Sequence, residues 1–299
     1  MARIAANGIE IEYELTGPSD CPVLMLIHGV GAQLVRWDAE FIDLFHAAGF
    51  RVLRFDNRDI GLSTHMSGMP VPDLAEVVAA RGRGEDPELP YTLDDMARDT
   101  VSLLDALGIV SAHLLGVSMG GMIAQILATR YPDRVLSLAI LMSQSGNPDL
   151  PPSQSDALAI LAKPAPDPDS DREAFLDHQV LLNRTLGSPA YPTDHETLRA
   201  FAALAADRGL NPAGAARQLA ASRGAPDRRS ALSKLAVPTV VIHGVDDPLL
   251  PVESAKDMAR CIADSWLVEI GGMGHDLPAS LFDMLSSLVI ANARRAELN

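Results

Sequence analysis

Three side-chain types that together activate a nucleophile stand in separate, glycine-marked stretches of this chain. Ser118 lies in Gly116-Val117-Ser118-Met119-Gly120-Gly121, after the apolar Leu114-Leu115 and before a helical pattern through Ile123, Ile126 and Leu127. Glycines around a serine between a strand and a helix fit a turn too tight for flanking side chains, which lifts the hydroxyl above the sheet. The same turn aims the Met119 N–H and the positive end of the helix at the reacting centre. A serine hydroxyl is a weak nucleophile at neutral pH and needs a base within hydrogen-bond reach. Of the eight histidines, His275 ends Gly271-Gly272-Met273-Gly274-His275, a loop that brings an imidazole over a sheet edge without strain. His28 reads as a loop organiser and His243 as a satisfied structural residue. His46, His65, His113, His178 and His195 have no comparable setting. The base in turn needs an acid to fix its tautomer. Val240-Val241-Ile242-His243-Gly244-Val245-Asp246-Asp247-Pro248 supplies two carboxylates just beyond an apolar run. Adjacent residues diverge, so one of Asp246 and Asp247 should face the histidine. Asp276, directly after His275, cannot easily bend back to Nδ1. Charge developing on a carbonyl oxygen also requires N–H donors. Met119 is one; the loop His28-Gly29-Val30-Gly31, after Val23-Leu24-Met25-Leu26-Ile27, offers Val30 as the other.

Placing those groups together is a task for a parallel sheet. Val23–Ile27 and the runs Val52-Leu53-Arg54-Phe55, Ala112-His113-Leu114-Leu115, Leu138-Ala139-Ile140-Leu141 and Val237-Pro238-Thr239-Val240-Val241-Ile242 are nearly continuous in apolar residues. Strands of that kind are buried on both faces. Ile9-Glu10-Ile11-Glu12-Tyr13-Glu14-Leu15 instead alternates, as a half-exposed strand near a sheet edge does. Amphipathic stretches at 94–107 and 122–131 lie between strands, which predicts an α/β, doubly wound, mostly parallel sheet with right-handed crossovers. The strand–helix rhythm stops after Ser143. Residues 146–171 are rich in Pro, Asp and Ser, and helical patterns follow at 172–186, 194–207 and 212–223. The domain reading is therefore a core of residues 1–143 and 234–299 interrupted by a helical cap at 144–233. Such a cap would cover the carboxyl ends of the strands, where open α/β sheets bind ligands.

Composition narrows the partners. The 299 residues carry 24 Lys plus Arg against 39 Asp plus Glu, a formal charge of −15. A surface that acidic argues against nucleic acid and anionic lipid, and against highly anionic substrates unless a local basic pocket exists. Asp73, Glu76, Glu85, Asp86 and Glu88 read as a solvated acidic surface. Two cysteines, Cys21 and Cys261, lack metal-ligand spacing and are expected as buried free thiols. No phosphate loop, H-E-x-x-H or Cys–His cluster occurs, so no cofactor or metal is expected. The N-terminal stretch lacks a signal-peptide h-region and no apolar run approaches a membrane span, which leaves a cytoplasmic protein as the expectation. Asn183-Arg184-Thr185 matches a glycosylation sequon without a secretory signal to use it.

Taken together, His28-Gly29, Phe55-Asp56-Asn57-Arg58-Asp59-Ile60-Gly61-Leu62-Ser63, the Gly116–Gly120 elbow, His243 to Pro248 and Gly272 to His275 resemble the serine α/β-hydrolase superfamily. Within it, the chain is similar to the capped esterases of the aclacinomycin methylesterase type. The resemblance implies an α/β-hydrolase fold with a helical cap after the sixth strand. It implies Ser118 as nucleophile, Asp247 rather than Asp246 as acid, and His275 as base. Backbone N–H groups of Val30 and Met119 would form the oxyanion hole, with His28, Gly29, Gly116 and Gly120 in support. The run from Asp56 to Ser63 would be a structural turn bordering the pocket. Serine at the elbow separates the chain from dehalogenases and epoxide hydrolases of this fold, which place an aspartate there. The expected activity is hydrolysis of small to medium, mainly apolar carboxylic esters, including methyl esters, through an acyl-enzyme. The competing readings are a lactonase or carbon–carbon bond hydrolase, a cofactor-free perhydrolase or haloperoxidase-like enzyme, and a ligand-binding receptor with slow turnover.

Overall fold

The computed structural model describes residues 1–297. Eight strands form one sheet: β1 (Ala2–Ala6), β2 (Ile9–Thr16), β3 (Val23–Ile27), β4 (Arg51–Phe55), β5 (Ala112–Val117), β6 (Val135–Leu141), β7 (Thr239–Gly244) and β8 (Trp266–Ile270). Their spatial order is β1-β2-β4-β3-β5-β6-β7-β8. Pairing is antiparallel for β1–β2 and β2–β4 and parallel from β4 onward. The alternating run is thus β2, one strand in from the edge. The edge itself is β1, an alanine-rich strand the sequence pattern did not suggest. Asn7 and Gly8, at φ 49° and 76°, turn β1 into β2, as a two-residue hairpin loop requires.

β3, β5 and β7 are buried along their whole length, because helices cover both faces. Successive β3 residues feed two separate cores. Met25 and Ile27 join Leu103 and Leu104 of α3 (Leu93–Ala106), Ile123 and Leu127 of α4 (Met119–Arg130) and Met258 of α10 (Glu253–Cys261). Leu24 and Leu26 join Phe41 and Phe45 of α1 (Ala39–Ala47) and Leu285 of α11 (Phe282–Arg294) on the opposite face.

Between β6 and β7 the chain is helical: α5 (Ser155–Ala162), α6 (Arg172–Leu186), α7 (His195–Arg208), α8 (Pro212–Arg223) and α9 (Arg229–Leu232). Helix α5 arises inside the Pro/Asp/Ser-rich stretch, where sequence alone suggested loop; Ala157 and Ile160 anchor it by burial. Helix α2 (Leu74–Gly82) carries the acidic stretch, with Asp73 as its N-cap and Glu85 and Asp86 exposed. Cys21 and Cys261 are free thiols, but each is half-buried rather than buried. They sit before β3 and at the last turn of α10. No helix among the described residues is long and apolar enough to cross a membrane.

Candidate active site

Ser118 joins β5 to α4 with φ 56° and ψ −120°, a conformation that costs a non-glycine residue about 1–3 kcal/mol and needs enforcement from its surroundings. The Ser118 N–H donates to Leu141 O at 2.9 Å, and the Ser143 hydroxyl donates to Ser118 O at 2.8 Å. The flanking glycines are there for space. A Cβ on Gly120 would run into the Ile27 carbonyl, and one on Gly116 would lie 2.7 Å from Gly121 Cα. The first turn of α4 thus passes directly over the end of β3.

The Ser118 hydroxyl lies 3.1 Å from His275 Nε2, and His275 Nδ1 lies 2.6 Å from Asp247 Oδ2. With Nδ1 protonated, the ring donates to the carboxylate and turns its free Nε2 lone pair toward the serine. Asp247 is 3% exposed. Its Oδ1 accepts from the Leu249 and Leu250 N–H groups, each at 2.8 Å. Burial alone would raise its carboxyl, but His275 and His243 beside it hold it well below the usual carboxylate range. Asp246 points elsewhere: it is exposed and accepts from the Gly272 N–H at 2.7 Å. His243 is more than the satisfied structural residue expected. Its Nε2 donates to Leu250 O at 2.7 Å and lies 3.4 Å from Asp247 Oδ2, while Nδ1 is buried without a partner among the described residues.

Two backbone donors border the serine. Gly29 packs so closely that a Cβ there would lie 3.1 Å from Ser118 Cβ. The N–H groups of Val30 and Met119 make no hydrogen bond among the described residues, so both remain open to an acceptor. His28 Nδ1 accepts from the Gly29 N–H at 2.8 Å, and its ring rests on Trp37 at 4.8 Å. Gln218 of α8 was not foreseen. Its amide spans from Gly31 N–H (2.9 Å) to Arg58 O (2.7 Å), bracing the same loop from the helical segment.

Desolvation, reinforced by Arg36 and His275, pushes the His28 ring down to about 3, and desolvation pushes His113 down to about 4. In an unfolded chain both rings titrate near 6.5. Below that pH the unfolded chain takes up protons that the folded chain refuses. The stability contributed by the neutral rings is therefore complete above about 6.5 and drains away as pH falls toward 4 and 3. Melting temperature should fall steadily between about pH 6.5 and 4.5; a flat profile there would refute the assignment of both rings as neutral.

Above the serine is a cavity of about 340 Å³, walled by Val117 and Met122 below and by Leu182, Leu186, Phe201 and Leu219 of α6, α7 and α8 above. Arg36 lies in this wall, donating to Asn183 Oδ1 at 2.6 Å and stacking over Phe201 at 4.9 Å. Asp276 also faces the cavity but accepts from the Ser188 hydroxyl, so it takes no part in holding His275 Nδ1. The Asp56–Ser63 turn supplies no side chain to the cavity wall but stands behind it, Asn57 Nδ2 donating to the carbonyl of the lining residue His28 at 3.2 Å. It also ties down the helices: Asp56 pairs with Arg208 and Asp59 with Arg217, each at 2.7 Å. Burial alone would raise the Asp59 carboxyl, but Arg217, the Met66 N–H and Tyr91 keep it below its usual range. No group of three or more metal-ligating side chains occurs among the described residues.

Comparison with known proteins places this geometry in context. The profile of the alpha/beta hydrolase fold family matches residues 22–278. The rhodomycin D methylesterase of Streptomyces peucetius is 30% identical over 306 aligned residues, covering 94% of each chain. A bifunctional esterase/perhydrolase of Acinetobacter calcoaceticus is 26% identical, covering 96% of this chain and 97% of its own. Among solved structures, a meta-cleavage product hydrolase of Pseudomonas fluorescens IP01 superposes with a TM-score of 0.75 at 18% identity. That alignment covers 99% of this chain and 98% of the other, a likeness of fold.

Proposed function

The chain belongs to the alpha/beta hydrolase family, and on that footing we propose that it hydrolyses carboxylic esters through a Ser118 acyl-enzyme, with residues 144–233 as the cap over its site. The observation that carries this reading is the continuous contact Ser118 Oγ–His275 Nε2–Asp247, at 3.1 and 2.6 Å, beneath a mainly apolar cavity. As Ser118 Oγ attacks the ester carbonyl, its proton passes to His275 Nε2, and Asp247 stabilises the imidazolium. The carbonyl oxygen, now negative, accepts from the open N–H groups of Val30 and Met119, donors worth roughly 2.7–4 kcal/mol each in such sites. His275 returns the proton to the departing alcohol. It then takes a proton from water, whose oxygen attacks the acyl group, and passes that proton to Ser118 Oγ as the acid leaves.

The similarity to a methylesterase supports small alkoxy leaving groups. The apolar walls support mainly apolar esters. The purified protein should cleave methyl, ethyl and p-nitrophenyl esters of short and medium acids faster than lactones or carbon–carbon bonded diketones of similar size. Turnover of lactones or diketones with ester cleavage near zero would replace this reading with one of those chemistries. Halogenation or peracid formation exceeding ester hydrolysis when peroxide is supplied would favour the perhydrolase reading.

A further inference from the structure

One wall of the cavity carries a cation that nothing among the described residues answers. Arg223, the last residue of α8, is half-buried and lines the cavity. Among the described residues its guanidinium makes no hydrogen bond and no ion pair. The buried and half-buried arginines flanking it are engaged: Arg208 with Asp56, Arg217 with Asp59, and Arg228 with Gln125, Gln144 O and Pro226 O. The cavity's own acids are also occupied. Asp38 caps α1 by accepting from the Glu40 N–H, and Asp276 accepts from Ser188.

A desolvated charge without a partner is costly, and in a chain of net charge −15 a counter-ion would be easy to supply. Burial lowers the Arg223 guanidinium with no carboxylate to offset it. Gln144 lines the same cavity, and its side-chain amide makes no hydrogen bond among the described residues. Ser222 Oγ lies 3.3 Å from Met122 Sδ, so this end of α8 sits over the first turn of α4. Met122 is one turn beyond Ser118, roughly 6 Å along the helix axis.

We propose that Arg223, with Gln144 of the same cavity wall, binds an anionic group, a carboxylate, carried by the ester substrate a short spacer away from the bond that Ser118 cleaves. The inference rests on the esterase reading and narrows it: the substrate class is the half-ester of a dicarboxylic acid, or an ester of a hydroxy acid. It also revises the expectation drawn from overall charge, because the local basic site that anionic substrates require is present, hidden inside an acidic shell.

The test compares esters matched in length and differing in charge. Mono-p-nitrophenyl adipate and p-nitrophenyl hexanoate vary the acyl side. The butyrate ester of 4-hydroxybutanoate and its methyl ester vary the alcohol side. In at least one pair the wild-type kcat/KM should favour the anion. Arg223→Gln should lower the anionic-to-neutral ratio roughly 10- to 100-fold, the range of a lost charge-assisted hydrogen bond, and Arg223→Lys should recover part of it. A ratio unmoved by Arg223→Gln in both pairs overturns the proposal, whatever happens to melting temperature. Adipate binding to Ser118→Ala, measured by calorimetry, gives a readout that needs no turnover; it should weaken at least about tenfold when Arg223→Gln is added. Equal affinity in the two proteins, or no binding in either, also overturns it. A wild type that cleaves no ester would instead refute the esterase reading, and the calorimetric arm would still decide the site.

Discussion

Ser118→Ala is expected to lower kcat for p-nitrophenyl butyrate by about 10⁶-fold, the scale at which removal of a serine nucleophile leaves only binding and oxyanion stabilisation. The hydroxyl is the only atom lost, and its only hydrogen bond among the described residues is to His275 Nε2. The strained backbone at φ 56° stays in place. Stability should therefore change by no more than about 0.5 kcal/mol, so a loss of activity cannot be blamed on unfolding. Steady-state kinetics with a urea melt on the same preparation reads both quantities. Retention of more than about one hundredth of wild-type kcat would mean that another group attacks the ester.

The second large effect separates two neighbouring carboxylates. Asp247→Asn keeps an oxygen to accept from the Leu249 and Leu250 N–H groups, both now bonded to Oδ1. The amide NH₂ then faces His275 Nδ1, where a carboxylate oxygen had accepted at 2.6 Å. To avoid opposing donors the ring adopts the other tautomer, which places a proton on Nε2 and removes the acceptor for the serine proton. The expected loss is about 10⁴-fold in kcat with KM little changed. Asp246→Asn retains an acceptor for the Gly272 N–H and stays within about tenfold of wild type. If the Asp246 variant were the impaired one, the acid would have to be reassigned.

Much of this site was legible before any coordinates because its parts are local. Ser118 and Asp247 follow buried strands and His275 follows the exposed edge strand β8, and each is marked by adjacent glycine or by a paired acid, so strand ends and turn chemistry sufficed to nominate them. The strand runs were readable for the same reason: burial on both faces leaves continuous apolar stretches. The remaining groups carry no local mark. Gln218 meets Gly31 across 187 positions, and Arg36 meets Asn183 across 147. Neither pairing leaves a period or motif, since both exist only once the helical segment has docked. Arg223 was invisible in a different way: a lone arginine at a helix end looks like a favourable partner for the dipole, and only its lack of an ion pair among the described residues changes its meaning. Strand β1 was missed because alanine is a poor strand former, although Asn7-Gly8 carried the hairpin signal.

The loop bearing His275 is bolted to the chain between α6 and α7. His275 N–H donates to Leu186 O at 2.7 Å, Gly274 N–H to Ser188 Oγ at 2.9 Å, and Ala190 N–H to Gly272 O at 3.1 Å. On the proposed reading, the helices that wall the cavity and the loop that carries the base are one mechanical unit. A chimera that imports a relative's helices to accept a new ester would also import the scaffold of its own base, and would need Ser188 and Gln218 retained at their junctions to stay active.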